Sequence, residues 1–142
     1  MPKVFLDTDV ILDVLLDREK FVEDARKILQ KIELKEVEGF TSPVVLANLY
    51  YISSSLKNKK TALSYTRKIH KLLKMTRIDQ DVVNNSLEAE KIKDFEDNLQ
   101  LYSAIGMGLD FLITRNVKDY LKTDLIRILT PKEMVELLEM GE

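Results

Sequence analysis

The sequence predicts an α/β fold: a single-domain, three-layer α/β/α arrangement around a central parallel sheet of about five strands. Two observations carry that expectation. Short apolar runs alternate along the chain with longer segments of helical periodicity, as in βα units rather than hairpins. The first run, Val4-Phe5-Leu6, stops at Asp7, and helical spacing follows from Val10 to Leu16, as when a buried parallel strand hands over to a helix. With 142 residues, 45% hydrophobic and 32% charged, the chain suits one domain, 1–142, with a core of its own.

Each element has its local reason. Lys3 to Leu6 is the first strand and Asp9 to Leu16 a short helix, which Asp9 could cap. Phe21 to Leu34 repeats Phe21, Ala25, Ile28, Leu29 and Ile32 at helical spacing. Gly39 to Ser42 is a second strand, and Ser42-Pro43 starts a third helix reaching about Leu56, apolar on most sides and expected to be largely buried. A fourth helix, Thr61 to Lys74, turns Leu63, Ile69, Leu72 and Leu73 inward and its basic residues outward, with His70, the only histidine, on the surface. Met75 to Ile78 is a third strand. Asp79 to Ile92 is helical, with Val82, Val83, Leu87 and Ala89 as its apolar positions. Asp94 to Asp97 opens a sixth helix, where Asp94 and Asp97 resemble a capping box. Leu109 to Ile113 and Leu125 to Leu129 are the last two strands, and Thr130-Pro131 caps a C-terminal helix.

Composition narrows the function. The chain has no cysteine, which excludes disulfides, thiolate catalysis and zinc–thiolate sites and fits a cytoplasmic protein. No apolar run approaches a membrane span, and the first one is broken by Asp7 and Asp9, unlike a signal peptide. Four glycines and no Gly-rich phosphate loop argue against nucleotide binding of that kind. The net charge of −2 hides a split: Gly39 to Ile78 has eight Lys and Arg and no Asp or Glu, so one region is basic and the rest acidic.

The acids fall at telling places. Asp7 ends the first strand, Asp94 and Asp97 begin the sixth helix, and Asn116 and Asp119 follow the fourth strand. Ligands of open α/β sheets sit outside the carboxyl ends of the strands, so adjacency of the first and fourth strands brings all three groups together. Carboxylates gathered in this way repel and raise each other's pKa unless a cation neutralises them, and hard oxygen donors suit Mg²⁺ or Mn²⁺. Asn48, inside an apolar helix, is read either as a core amide bonded to backbone or water or as a polar group aimed into a site. A haloacid-dehalogenase-type phosphatase, suggested by Asp7-Thr8-Asp9, fits poorly, because the chain is short and lacks that chemistry's further motifs.

Four motifs then stand in order: Phe5-Leu6-Asp7-Thr8-Asp9-Val10-Ile11-Leu12-Asp13 with Arg18-Glu19; Asp94-Phe95-Glu96-Asp97-Asn98-Leu99-Gln100 with Ala104; Ile113-Thr114-Arg115-Asn116-Val117-Lys118-Asp119-Tyr120; and Thr130-Pro131-Lys132-Glu133. On these, nearly the whole chain resembles a PIN domain, the metal-dependent ribonuclease family that includes VapC-type toxins. The likeness is to a branch with the Asp-Phe-Glu-Asp and Thr-Arg-Asn wording. The resemblance implies Asp7 and Asp97 as metal ligands with Asp94 contributing, Asn116 beside them in the catalytic group, and Asn48, Asp9, Thr114 and Asp119 in support. It further implies Mg²⁺ or Mn²⁺, an RNA substrate, an antitoxin protein as partner and a homodimer. Two positions depart from the family: Asn116 stands where an acid is usual and Asn48 where many members carry glutamate. Both exchange a charge for an amide and favour the alternative, a catalytically weak RNA- or protein-binding module on the same fold. Lys57, Lys59, Lys60, Arg67, Lys68 and Lys71 are either a solvated helix face or a hold on an RNA backbone. Arg115 is open between substrate phosphate and a local acid.

Overall fold

The computed structural model describes residues 1–88 and 94–141. Five parallel strands run in the order β3-β2-β1-β4-β5, with β1 at Lys3–Leu6, β2 at Glu38–Thr41, β3 at Lys74–Met75, β4 at Phe111–Ile113 and β5 at Arg127–Leu129. Among the described residues the helices are α1 (Thr8–Leu15), α2 (Val22–Glu33), α3 (Pro43–Leu56), α4 (Lys59–Leu72), α5 (Gln80–Glu88), α6 (Phe95–Gly106) and α7 (Pro131–Met140). They flank the sheet as the outer layers of the expected α/β/α arrangement. None of them is long and apolar enough to cross a membrane.

The central strand is the most buried. Val4, Phe5 and Leu6 have no exposed surface, because helices cover both faces of a parallel sheet. Side chains of this size each contribute about 1.5–3 kcal/mol on burial. β1 pairs with β2 on one side and β4 on the other, in register from Leu6 to Ile113. The strand order therefore reverses beside β1, and the crevice that such a reversal opens lies at the carboxyl ends of β1 and β4.

Local chemistry sets the helix starts. Ser42 caps α3 by accepting from Val45 N at 3.1 Å, Asn58 caps α4, and Thr130 with Glu133 forms a full capping box at α7. The sixth helix is held by polar contacts on its hidden face. Asn98 Nδ2 donates to Ser86 O at 3.1 Å, Ser42 Oγ donates to Gln100 Oε1, and the Ser103 and Thr76 hydroxyls meet at 2.9 Å. These fix the rotation of α6 against α3, α5 and the end of β3.

Several expectations need correction. Rather than being largely buried, α3 hides only Val45, Leu49 and Ser53, while Tyr51 is 69% and Leu56 59% exposed. One stripe at i, i+4 and i+8 satisfies its neighbours, and an apolar composition does not say where that stripe lies. Asn58 starts α4 two residues earlier than expected, and it is Ala62, in line with Ile69 on the inward stripe, that is buried while Leu63 faces outward. Ser86 takes the inward place expected of Leu87. The third strand is only Lys74–Met75, an edge strand with one neighbour, and the fifth starts at Arg127, where pairing with Phe111 begins, leaving Leu125 exposed outside it. Ala89 and the expected end of the fifth helix at Ile92 lie outside the described residues.

Gly39 carries a constraint of its own. A Cβ there would sit 2.6 Å from Ile32 Cδ1 and 2.6 Å from Leu73 Cδ2, where α2 and the end of α4 close on β2. Gly39→Val overpacks this contact and is expected to lower unfolding free energy by about 1–3 kcal/mol, measured by urea denaturation; a variant as stable as the parent contradicts the close approach.

Candidate active site

Asp7 follows β1 directly. Its N–H continues the ladder by donating to Ile113 O at 3.0 Å, and its extended backbone makes it the N-cap of α1. Asp7 Oδ1 accepts from Thr8 N at 2.8 Å, and Oδ2 accepts from the Tyr120 hydroxyl at 2.8 Å. Burial pushes the Asp7 carboxyl above its ordinary range, with Asp119 adding to the rise while the hydrogen bonds from Tyr120, Thr8 and Thr114 oppose it. The Tyr120 phenol is pushed up in turn, first by burial and then by Asp7, so it stays protonated and donates.

Asp9 does not cap the first helix as expected. Asp7 does, because the strand ends at Leu6 and the helix begins at Thr8. Asp9 reaches across to the segment after β4 instead. Its Oδ2 accepts from Arg115 N at 3.0 Å, Asn116 Nδ2 at 3.2 Å and Thr114 Oγ1 at 3.3 Å. Its Oδ1 is buried and has no hydrogen-bond partner among the described residues. Burial, then the charge of Asp7, raises Asp9 to about 6.

Asp94 caps α6 by accepting from Asp97 N at 3.0 Å. Asp97 stands one turn in, half-buried. Burial first, and then the charges of Asp7, Asp94, Asp119 and Glu96, push it up to about 7. Those couplings place Asp7 and Asp97 in one electrostatic neighbourhood with Asp94, Asp119 and Glu96 around them. Asn48, on the facing side of α3, donates its amide to Glu96 Oε1, so of its two readings the core amide bonded to backbone or water is set aside.

Behind this group Arg115 is taken up by local acid. Its Nε lies 2.9 Å from Asp13 Oδ2, an ion pair rather than an aligned hydrogen bond, and its guanidinium stacks on the Phe21 ring at 4.0 Å. Asp13 is fully buried and also meets Arg18 NH1 at 3.3 Å. Lys57, Lys59, Lys60, Arg67, Lys68 and Lys71 are exposed on α4 and the turn before it. Lys68 and Lys71, with Arg26, border a groove of about 470 Å³ whose floor includes Val14, Leu15 and Leu29. That groove lies along the far half of α1 from Asp7.

Sequence reasoning passed over Tyr120, Asp13 and Glu96 as site residues. All three lie inside the quoted motifs. Asp13, an acid within an apolar helical run, was the signal available for the ion pair.

The donor set suits a hard divalent cation. It consists of carboxylate oxygens that raise one another's pKa, beside a buried carboxylate oxygen without a partner. Among the described residues no group of three His, Cys, Asp or Glu could hold an ion. Two carboxylates would thus be completed by water, a common Mg²⁺ arrangement.

Residues 3–118 match the family model of the PIN domain. Ribonuclease VapC1 of Aquifex aeolicus (strain VF5) is 28% identical over 138 residues, 94% of each chain. Among solved structures, a DNA-bound VapBC from Salmonella typhimurium aligns with a TM-score of 0.72 at 18% identity, covering 92% of this chain and 99% of the other. A toxin-antitoxin complex from Klebsiella pneumoniae aligns at 0.66 and 20% identity, covering 90% and 97%.

The repulsion has a measurable sign. The folded Asp97 carboxyl is held near 7 against an ordinary 3.8. Its contribution to stability is therefore full below about pH 4 and is lost as pH rises to about 7. In EDTA, the melting temperature of Asp97→Asn minus that of the parent should grow over that interval, reaching a few degrees near neutrality. A difference that stays flat or shrinks with pH contradicts the coupling.

Proposed function

The chain belongs to the PIN domain family, and from that premise we propose that it is a metal-dependent endoribonuclease that hydrolyses RNA phosphodiester bonds as the toxin of a toxin–antitoxin pair. What supports this reading is that Asp7 directly follows β1 and Asp97 lies in the first turn of α6, with the charge of Asp7 among the causes that raise the Asp97 carboxyl. The relative named as a ribonuclease, aligned over 94% of this chain, supports the same reaction class. A neighbouring fold solved as a toxin–antitoxin complex supports the partner. A homodimer acting in the cytoplasm belongs to the same proposal.

In this reading Asp7 and Asp97 hold Mg²⁺ or Mn²⁺, with Asp94 and Asn116 helping directly or through water. When bound, such an ion lends acidity to nearby water and offsets negative charge growing on the phosphoryl oxygens. The chain's own residues do the rest. Thr8 N–H fixes one oxygen of Asp7. Asp9 gathers Thr114, Arg115 and Asn116 into one conformation beside it. Glu96, tethered to Asn48, adds its charge to the field that raises Asp97. The exposed basic residues of α4 supply phosphate contacts, which come mainly from Lys and Arg. Arg115, paired with Asp13, supports the wall of the site more than it contacts substrate.

The amides favour a second reading, a catalytically weak RNA- or protein-binding module. Asn48 is engaged with Glu96 and Asn116 with Asp9, and neither brings a charge of its own. Calorimetry separates the two, because an active centre takes up Mn²⁺ and a vestigial one does not.

The main test is cleavage of a mixed RNA pool with Mn²⁺. Wild-type protein should cut and EDTA should stop it, and Asp97→Asn should lose about 100-fold or more of the rate. Equal cleavage by the variant sinks the assignment. For the basic face, Lys68→Glu with Lys71→Glu should raise KM about tenfold at moderate salt and flatten its salt dependence, leaving kcat in place. Unchanged KM and slope would return these lysines to a solvated surface.

A further inference from the structure

Between β4 and β5 the chain makes a single 3₁₀ turn, Val117–Asp119, closed by Asp119 N donating to Asn116 O at 2.9 Å and Tyr120 N to Val117 O at 3.2 Å. Tyr120 follows the turn directly and lies in the core, where 3% of it is exposed. A buried phenol normally finds a hydrogen-bond partner. This one donates to Asp7 Oδ2 at 2.8 Å, across 113 residues of chain.

The consequence follows from lone pairs. An ionised carboxylate offers about four acceptor positions over its two oxygens. Thr8 N–H takes one on Oδ1 and the Tyr120 hydroxyl takes one on Oδ2. The carboxylate plane is thereby pinned at both ends and, with the Thr114 hydroxyl also close, acceptor positions remain free beyond these donors. We propose that Tyr120 is a positioning residue for the hydrolytic centre: its hydroxyl holds Asp7 in the orientation that presents those free positions to a divalent cation shared with Asp97. Outer partners of ligating carboxylates typically carry 10–100-fold of metal affinity or activity. This inference rests on the metal-dependent reading above.

The competing role is packing, because a buried ring fills space whether or not it has a hydroxyl. Tyr120→Phe separates the two by keeping the ring and removing only the donor. Mn²⁺ binding to the full chain is measured by calorimetry at one pH, beside thermal melting in EDTA and RNA cleavage. Tyr120→Phe should weaken Mn²⁺ binding 10–100-fold while melting within a few degrees of the parent. It should lower kcat at saturating RNA and subsaturating metal and leave the KM for RNA unchanged. Tyr120→Leu, which also removes the ring, should lose the same Mn²⁺ affinity and in addition melt well below both. Parent-like Mn²⁺ binding by Tyr120→Phe, with loss only in Tyr120→Leu, overturns the inference and leaves a packing residue. A parent protein that takes up no Mn²⁺ overturns the metal-dependent reading itself, a result distinguishable because it precedes any comparison of variants.

Discussion

The parallel pairing of β1 with β4 is the constraint from which the rest of the acidic end follows. Residues more than one hundred positions apart become neighbours only through that ladder, which the Asp7 N–H extends by one further bond to Ile113 O. Side chains alternate along a strand, so a slip of one residue would send Asp7 to one face and Thr114 to the other. The contacts of Asp9 with residues 114–116 and of Tyr120 with Asp7 exist only in the observed register. The burial of Val4, Phe5 and Leu6 fixes it, because the alternative would expose or misplace all three.

Against that rigid frame the charges are deliberately unbalanced. Asp7, Asp9 and Asp97 are each less willing to ionise than free carboxyls, and burial is the first cause in every case. Helix geometry offsets part of this. Asp7 and Asp94 are N-caps, and the acids of the first turns of α1 and α6 lie near the positive helix ends. One step behind, the pattern inverts: Asp13 is fully buried yet matched by Arg115 and Arg18. Asp13 is thus matched by two arginines, whereas the charges that act on Asp7 and Asp97 are those of other acids.

Much of this was legible from the sequence, where a local signal existed. Strand one ends where apolar residues meet an acid, and α3 and α7 start at Ser42-Pro43 and Thr130-Pro131 because serine, threonine and proline have short-range effects. The placement of Asp94 as a cap is equally local. What escaped was long-range or two-sided. The role of Asp9 is set by a loop more than one hundred residues away, so the nearest helix seemed its natural partner. The burial of α3 was overstated because Tyr51, Ile52 and Leu56 are apolar but lie off the stripe that α1, α4 and α6 cover. Tyr120 stood in a quoted motif, but nothing near it in sequence says that its hydroxyl meets Asp7.

The buried amides and hydroxyls along α6 have an implication for protein engineering. Had that face been aliphatic, the helix could ratchet by a fraction of a turn at little cost. Sliding it here would strand the Asn98, Gln100 and Ser103 contacts together, at roughly 1–3 kcal/mol for each unsatisfied group. An isosteric swap at Asp97, at the tip of α6, is thus read on a backbone that stays put, whereas one at Glu96 also gives up the bond from Asn48.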